Sequence, residues 1–161
     1  MKKYLLLALL FAGTLLQASP ADDLARRILG RKAARFEFVQ APADRDFFQV
    51  EQAGRKIRIT GNNVNSQAMG LNWYLKHVAH VHVSWFADQP VQLPWRLPKV
   101  KDAVRRDARI QDRFFLNYCT YGYTMPWWGW KQWERFIDWM AMNGVTLPLA
   151  ITGQEAVWYE V

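Results

Sequence analysis

Residues 109–158 read RIQDRFFLNYCTYGYTMPWWGWKQWERFIDWMAMNGVTLPLAITGQEAVW, and the rhythm of this stretch decides the fold. Arg109 to Cys119 predicts a strand with Phe115, Asn117 and Cys119 on one side, since alternate strand residues share a face. Thr120 to Met125 reads as a loop. Pro126 suits the first position of a helix running to about Asn143, with Trp130, Trp133, Ile137, Met140 and Ala141 on its buried stripe. Gly144 stops that helix. Val145 to Ile151 is a continuous apolar run, as expected of a parallel strand buried on both faces. Pro148 is awkward there, because proline cannot donate to a ladder. Gly153-Gln154-Glu155 follows, and from Ala156 another helix begins. Strand, helix, strand and helix make a β/α repeat. A complete β/α barrel needs about 250 residues. Residues 105–161 therefore read as the first βαβ portion of a truncated (β/α)8 TIM-type barrel, and the 161-residue sequence as a truncated chain.

Upstream, the pattern differs. A helix opens at Ser19-Pro20-Ala21-Asp22-Asp23 and runs through Leu29, where Gly30 can stop it. Phe36 to Gln40, Phe47 to Gln52 and Lys56 to Thr60 read as strands, the last two joined by a turn at Gln52-Ala53-Gly54-Arg55. Asn62 and Asn63 precede a helix with Ala68, Leu71, Tyr74, Leu75 and Val78 on one stripe. Val81, Val83 and Trp85 alternate with His82 and Ser84, which predicts one more strand. Residues 22–98 thus form a small α+β domain, and Pro90, Pro94 and Pro98 mark its boundary.

Lys2-Lys3, the apolar run Tyr4 to Leu16, and the small residues Ala18, Ser19 and Ala21 predict a signal peptide over residues 1–21, cut after Ala18 or Ala21. The run is too short to favour a membrane span. The expected location is periplasmic or extracellular. Cys119 is the sole cysteine, so no internal disulfide forms and stability rests on a core. The net charge of +7 comes from scattered residues with no interleaving of aromatics and cations, which argues against nucleic acid. Nine tryptophans serve packing or sugar stacking.

In a β/α barrel the active site lies at the C-terminal strand ends. Here those ends are Asn117-Tyr118-Cys119-Thr120 and Thr152-Gly153-Gln154-Glu155. Asn117 and Cys119 either offer an amide and a thiol to a ligand or pack internally. Glu155 sits where a catalytic acid could, yet a glutamate near a helix start is also favoured by the helix dipole. Glu134 and Asp138 lie on a helix expected to face outward, with solvated charges. No pair of carboxylates suits glycoside cleavage. His77, His80 and His82 lack acidic or thiol partners and read as surface or packing residues, so neither metal nor cofactor is expected.

The runs NxCTxxY, WWxWxxWExxIDWMAxNGV and GQEAxW within Asn117–Trp158 resemble the α-N-acetylglucosaminidases, glycoside hydrolase family 89. The upstream GNNVNSQAMGLNWYLKHVAHVHVSW resembles that family's small N-terminal α+β domain, a type also found before the barrels of other hexosaminidases. The resemblance spans about residues 24–161. It implies an exo-acting, retaining hydrolase that removes terminal α-linked N-acetylglucosamine from glycans with two glutamates, both beyond Val161. It further implies that Asn117 and Cys119 help hold the terminal sugar, that Gly153-Gln154-Glu155 shapes the barrel top, and that this chain alone is inactive. The alternative is a non-catalytic carbohydrate-binding module; a continuing barrel with two strand-end glutamates discriminates against it.

Overall fold

The computed structural model describes residues 19–87, 90–151 and 153–161, so most of the expected signal peptide lies outside the described residues. Helix α1 spans Pro20–Leu29. Ser19 caps it, its Oγ accepting from the Asp22 N–H while the Asp22 carboxylate accepts from the Ser19 N–H, so two orphan donors are satisfied together. Gly30, at φ +57, ends it and opens a 3-10 turn over Gly30–Arg35. Strands β1 (Phe36–Gln40), β2 (Phe47–Ala53) and β3 (Lys56–Gly61) follow, then helix α2 (Val64–His77), capped by Asn63. These elements lie where the sequence places them.

The sheet order is β1-β3-β2-β4, where β4 is Val104–Asp107. β1 runs parallel to β3, and the other two pairings are antiparallel. Residues 105–107, read from the sequence as barrel, therefore form an edge strand of the first sheet. One face buries Phe36, Phe48, Val50, Ile57 and Ile59 beneath α1 and α2. The opposite face carries Arg58 between Glu37 and Glu51, at 3.2 and 3.4 Å. One buried face and one solvated face account for the alternation along β2 and β3. Gly70 is what lets α2 lie close, since a Cβ there would stand 2.5 Å from Ile59 Cγ2.

Val81 to Trp85 is not a strand. His80 takes φ +54 and the Val81 N–H returns to the Leu75 carbonyl, so the chain turns off the end of α2. Val83 is buried and its neighbours are less so; extended chain lying on a core alternates without any ladder. The proline-rich segment also packs: Leu93 is buried, and the Tyr74 hydroxyl donates to the Pro98 carbonyl at 2.7 Å. Burial pushes the Tyr74 pKa up to about 12.

The second region is a β/α unit. β5 (Phe114–Phe115), α3 (Thr120–Tyr123), α4 (Trp130–Met142), β6 (Leu147–Pro148) and α5 (Gln154–Glu160) follow in order. β5 and β6 pair in parallel, as a crossover through a helix requires. Among the described residues no barrel closes; the fold is mixed α/β. Both strands are far shorter than expected. Leu116, at φ +92, ends β5, and the chain turns rather than extending to Cys119. Residues read as loop form α3 instead. α4 starts at Trp130, because Met125 to Trp128 makes a turn first and Gly129 is extended. The Leu147 and Leu149 N–H groups donate to the Arg113 and Phe115 carbonyls, so position 148 has its nitrogen toward the other edge. That placement lets Pro148 sit in the ladder without losing a bond.

The stripe of α4 also differs from expectation. Phe136, Met140 and Met142 are buried, whereas Trp130 and Ile137 are exposed. Trp85, Phe115, Trp128, Trp133 and Trp139 surround Phe136, with neighbouring centroids at 5.1 to 6.3 Å. Packing thus claims four of the nine tryptophans here. Asp138 is not solvated: it is 4% exposed and accepts from Arg27 Nε and Nη2 at 2.7 and 2.6 Å. α4 packs against α2, and Asp138 reaches Arg27 of α1, so this carboxylate meets the first domain instead of water.

Candidate sugar-binding end of the barrel strands

β5 and β6 run in the same direction, so their C-terminal ends lie together. The turn after β5 is set by Asn117. Its side-chain oxygen accepts from the Cys119 N–H at 2.9 Å, the Thr120 N–H at 3.3 Å and the Thr120 hydroxyl at 3.4 Å. These bonds satisfy N–H groups at the start of α3, the usual use of asparagine at a helix entry. Asn117 and Cys119 are therefore joined through a turn rather than by strand alternation, and both are exposed.

Cys119, Tyr118, Tyr121, Gly122, Tyr123 and Pro126 line one side of an open depression of about 680 Å³. Ile151, Gly153 and Glu155 line the other. Asn117 lies next to that lining: its side-chain oxygen anchors Cys119, and its amide nitrogen makes no hydrogen bond among the described residues. Gly153 takes φ +84, a left-handed conformation that turns the chain from β6 into α5 and brings Glu155 to its first turn. Glu155 thus fits both of its readings, a strand-end acid and a residue favoured by the helix dipole.

Tyr121 is the residue that the sequence reading passed over. Its ring stacks on Trp133 at 6.0 Å, and burial raises its pKa. The signal was present in NYCTYGY, but reading 120–125 as a plain loop left no face for Tyr121 to occupy. His77, His80 and His82 are exposed and apart from this end, with His77 beside the Trp73 ring at 5.3 Å. Among the described residues no cluster of three metal-ligating side chains forms.

This arrangement, a small α/β domain leading into a parallel strand–helix–strand unit, has known counterparts. Residues 19–99 match the α-N-acetylglucosaminidase (NAGLU) N-terminal domain, and residues 113–161 match the α-N-acetylglucosaminidase (NAGLU) tim-barrel domain. The chain belongs to the α-N-acetylglucosaminidases of glycoside hydrolase family 89. It is 41% identical over 106 residues to human α-N-acetylglucosaminidase, which covers 66% of this chain and 14% of the human protein. It also superimposes on a family 89 glycoside hydrolase from Clostridium perfringens solved with PUGNAc, with a TM-score of 0.80 and 39% identity over 86% of this chain. A variant of that enzyme with glutamines at two glutamate positions, equally similar, was solved with its substrate GlcNAc-α-1,4-galactose. The chain spans 16% of the clostridial protein. Within the family 89 frame, the depression lies at the start of the barrel domain and not in the N-terminal domain.

Proposed function

We propose that this chain supplies the N-terminal domain and first barrel segment of an exported, retaining exo-glycosidase that releases terminal α-linked N-acetylglucosamine. The observation that carries the reading is the convergence of the ends of β5 and β6 on one depression in a family 89 chain. Cys119 and the free amide nitrogen of Asn117 contact the terminal sugar, and the Tyr121 hydroxyl adds a donor. An amide, a thiol and a phenol recognise sugar hydroxyls and leave bond cleavage to carboxylates. Retention needs two carboxyls about 5–5.5 Å apart. Among the described residues Glu155 is the one carboxylate lining the depression, which supports a reading in which these residues hold the sugar and cleavage needs a further carboxylate.

Export rests on Lys2-Lys3 followed by an apolar run. Of the two candidate cuts, the one after Ala18 preserves the Ser19 cap and keeps buried Ala21 in α1. The one after Ala21 would remove both.

The complete gene product is to be assayed on an aryl α-N-acetylglucosaminide, with the first-formed anomer identified by NMR. Release of the α-anomer supports the reading. Absence of hydrolysis, or β-anomer as first product, rejects it. Mass spectrometry of the secreted N-terminus locates the cut.

A further inference from the structure

Helix α2 holds the end of α4 through one of its faces. Asn65, Met69 and Asn72 follow one another at helical intervals and lie along a single stripe. Asn72 Nδ2 donates to the Met142 carbonyl at 2.9 Å, and Asn65 Nδ2 donates to the Val145 carbonyl at 3.1 Å. Met69 lies between them and packs on Gly144. A Cβ at Gly144 would overlap Met69 Sδ and stand 2.9 Å from its Cε, so the thioether rests on bare backbone. Gly144 takes φ +74, and its carbonyl accepts from Arg113 Nε. The turn beneath Met69 is thus the one that Arg113 ties to Asp46.

Methionine is oxidised at sulfur, and access decides which methionine reacts first. The sequence has five methionines, of which Met1 lies in the expected signal peptide. Met125, Met140 and Met142 are buried in the two cores, at 1%, 9% and 1% exposure. Met69 is half-buried and borders a cleft of about 60 Å³ lined also by Phe48, Ser66 and Arg106. Among the described residues Arg106 has no carboxylate within salt-bridge distance, which leaves its guanidinium able to donate to a new oxygen acceptor.

We infer that Met69 is a modification site, oxidised by peroxides ahead of the other methionines, and that its sulfoxide frees the 142–145 turn from α2. A sulfur lone pair attacks one peroxide oxygen, the O–O bond breaks and an S–O bond forms. The departing hydroxide takes the remaining proton and leaves as water. Sulfur loses two electrons and the peroxide gains them; a sulfoxide reductase reverses the change. The product carries a polar oxygen where the thioether met Gly144. No donor awaits it there, because the Gly144 N–H already bonds the Ala141 carbonyl at 3.1 Å. The oxygen turns instead toward the cleft and Arg106, and the side chain leaves the turn. The inference is independent of sugar binding and of hydrolysis.

The complete gene product is treated with hydrogen peroxide. Sulfoxide is then located by mass spectrometry of its peptides, and hydrogen exchange is read on the intact oxidised protein. Sulfoxide is expected at Met69 about tenfold faster than at Met125, Met140 or Met142, whose sulfurs react only when their cores open. Amides of residues 140–147 should then exchange about tenfold faster, while those of β2 and β3 stay as they were. Met69→Leu keeps the volume without the sulfur and should exchange like the untreated parent both before and after peroxide. It retains Cys119, so any effect of thiol oxidation shows in both proteins. Met69→Gln, polar at similar length, should exchange faster at 140–147 without peroxide. A methionine sulfoxide reductase should return the oxidised parent to its starting pattern. Oxidation of these four methionines at one rate would overturn the inference. So would Met69 sulfoxide with unchanged exchange at 140–147, or peroxide-treated Met69→Leu that exchanges as fast as the treated parent.

Discussion

At the end of β5, Asn117 accepts three hydrogen bonds from the turn that follows while its amide N–H2 remains unused within the turn. Two roles can thus be separated by substitution. Asn117→Asp keeps the accepting oxygen and removes the donor; Asn117→Ala removes both. The aspartate variant should unfold within about 0.5 kcal/mol of the parent, whereas the alanine variant should lose about 1 kcal/mol as a cap is lost. Both should lower kcat/KM of the complete gene product on an aryl α-N-acetylglucosaminide about tenfold, the scale of one hydrogen bond to substrate. An aspartate variant with unchanged kinetics would leave Asn117 with the cap alone. Asp138 makes a second residue-scale case. Its two bonds to Arg27 hold α4 on α1, and the hydrogen bond to Asp138 is the main reason the Arg27 pKa is raised. Asp138→Ala should cost about 1–3 kcal/mol in urea unfolding, since Arg27 is partly hydrated and keeps some solvation. The pairing of positions 117 and 119 was legible in the sequence, but its geometry was not. The positive φ at Leu116 depends on how its side chain packs in the second core, which no local pattern reports.

Elements were legible where one face is buried and the other wet. α1, β1, β2, β3 and α2 fall within a residue or two of expectation, because capping residues and two-sided burial act locally. The stripe of α4 was misplaced because that helix is packed on two sides. Phe136 and Met140 enter the aromatic core while Asp138 meets α1, and the face of Trp130 and Ile137 is left open. That open face borders a groove of about 530 Å³ lined by Tyr121, Trp133, Pro148 and Leu149. Close approach of α2 to the sheet is likewise a tertiary fact, recorded in the sequence only as a glycine inside a helix. Gly70→Ala gains helix propensity of about 1 kcal/mol. The new methyl must displace Ile59 Cγ2 from 2.5 Å and meets Phe48 Cβ at 3.2 Å. Ile59 is fully buried and β-branched, so it cannot swing aside cheaply. Overpacking of about 1–3 kcal/mol should prevail, lowering the melting temperature by several degrees. A variant as stable as the parent would mean that α2 shifts without loss.

Across the whole molecule, the joint between the two regions combines α4 side chains such as Met142 in the first core with a polar network centred on Arg113. Its Nη2 donates to Asp46 at 2.6 Å, its Nη1 to the Ile110 carbonyl at 2.7 Å, and its Nε to the Gly144 carbonyl. Asp46 also receives Asn62 and Asn63 at 3.2 and 2.6 Å. One carboxylate therefore ties the start of β2, the entry to α2 and the entry to β5 together. Asn72 and Asn65 add bonds to the Met142 and Val145 carbonyls. Burial alone would raise the Asp46 pKa, but the hydrogen bonds from Arg113, Asn62 and Asn63 outweigh it and hold the pKa below the usual carboxylate value. A carboxylate held lower in the folded state than in the unfolded chain stabilises the fold above the unfolded pKa, near 4. That contribution disappears as the pH falls through the lower folded value. Asp46→Asn should consequently cost about 1–3 kcal/mol at pH 7, with the urea midpoint read by tryptophan fluorescence. As the pH drops below about 4 the parent loses the same interaction, and the two midpoints should converge. A constant gap across that range would assign Asp46 a steric role in the joint. Convergence would establish that one ionised group couples the domain ahead of the barrel to its first strand.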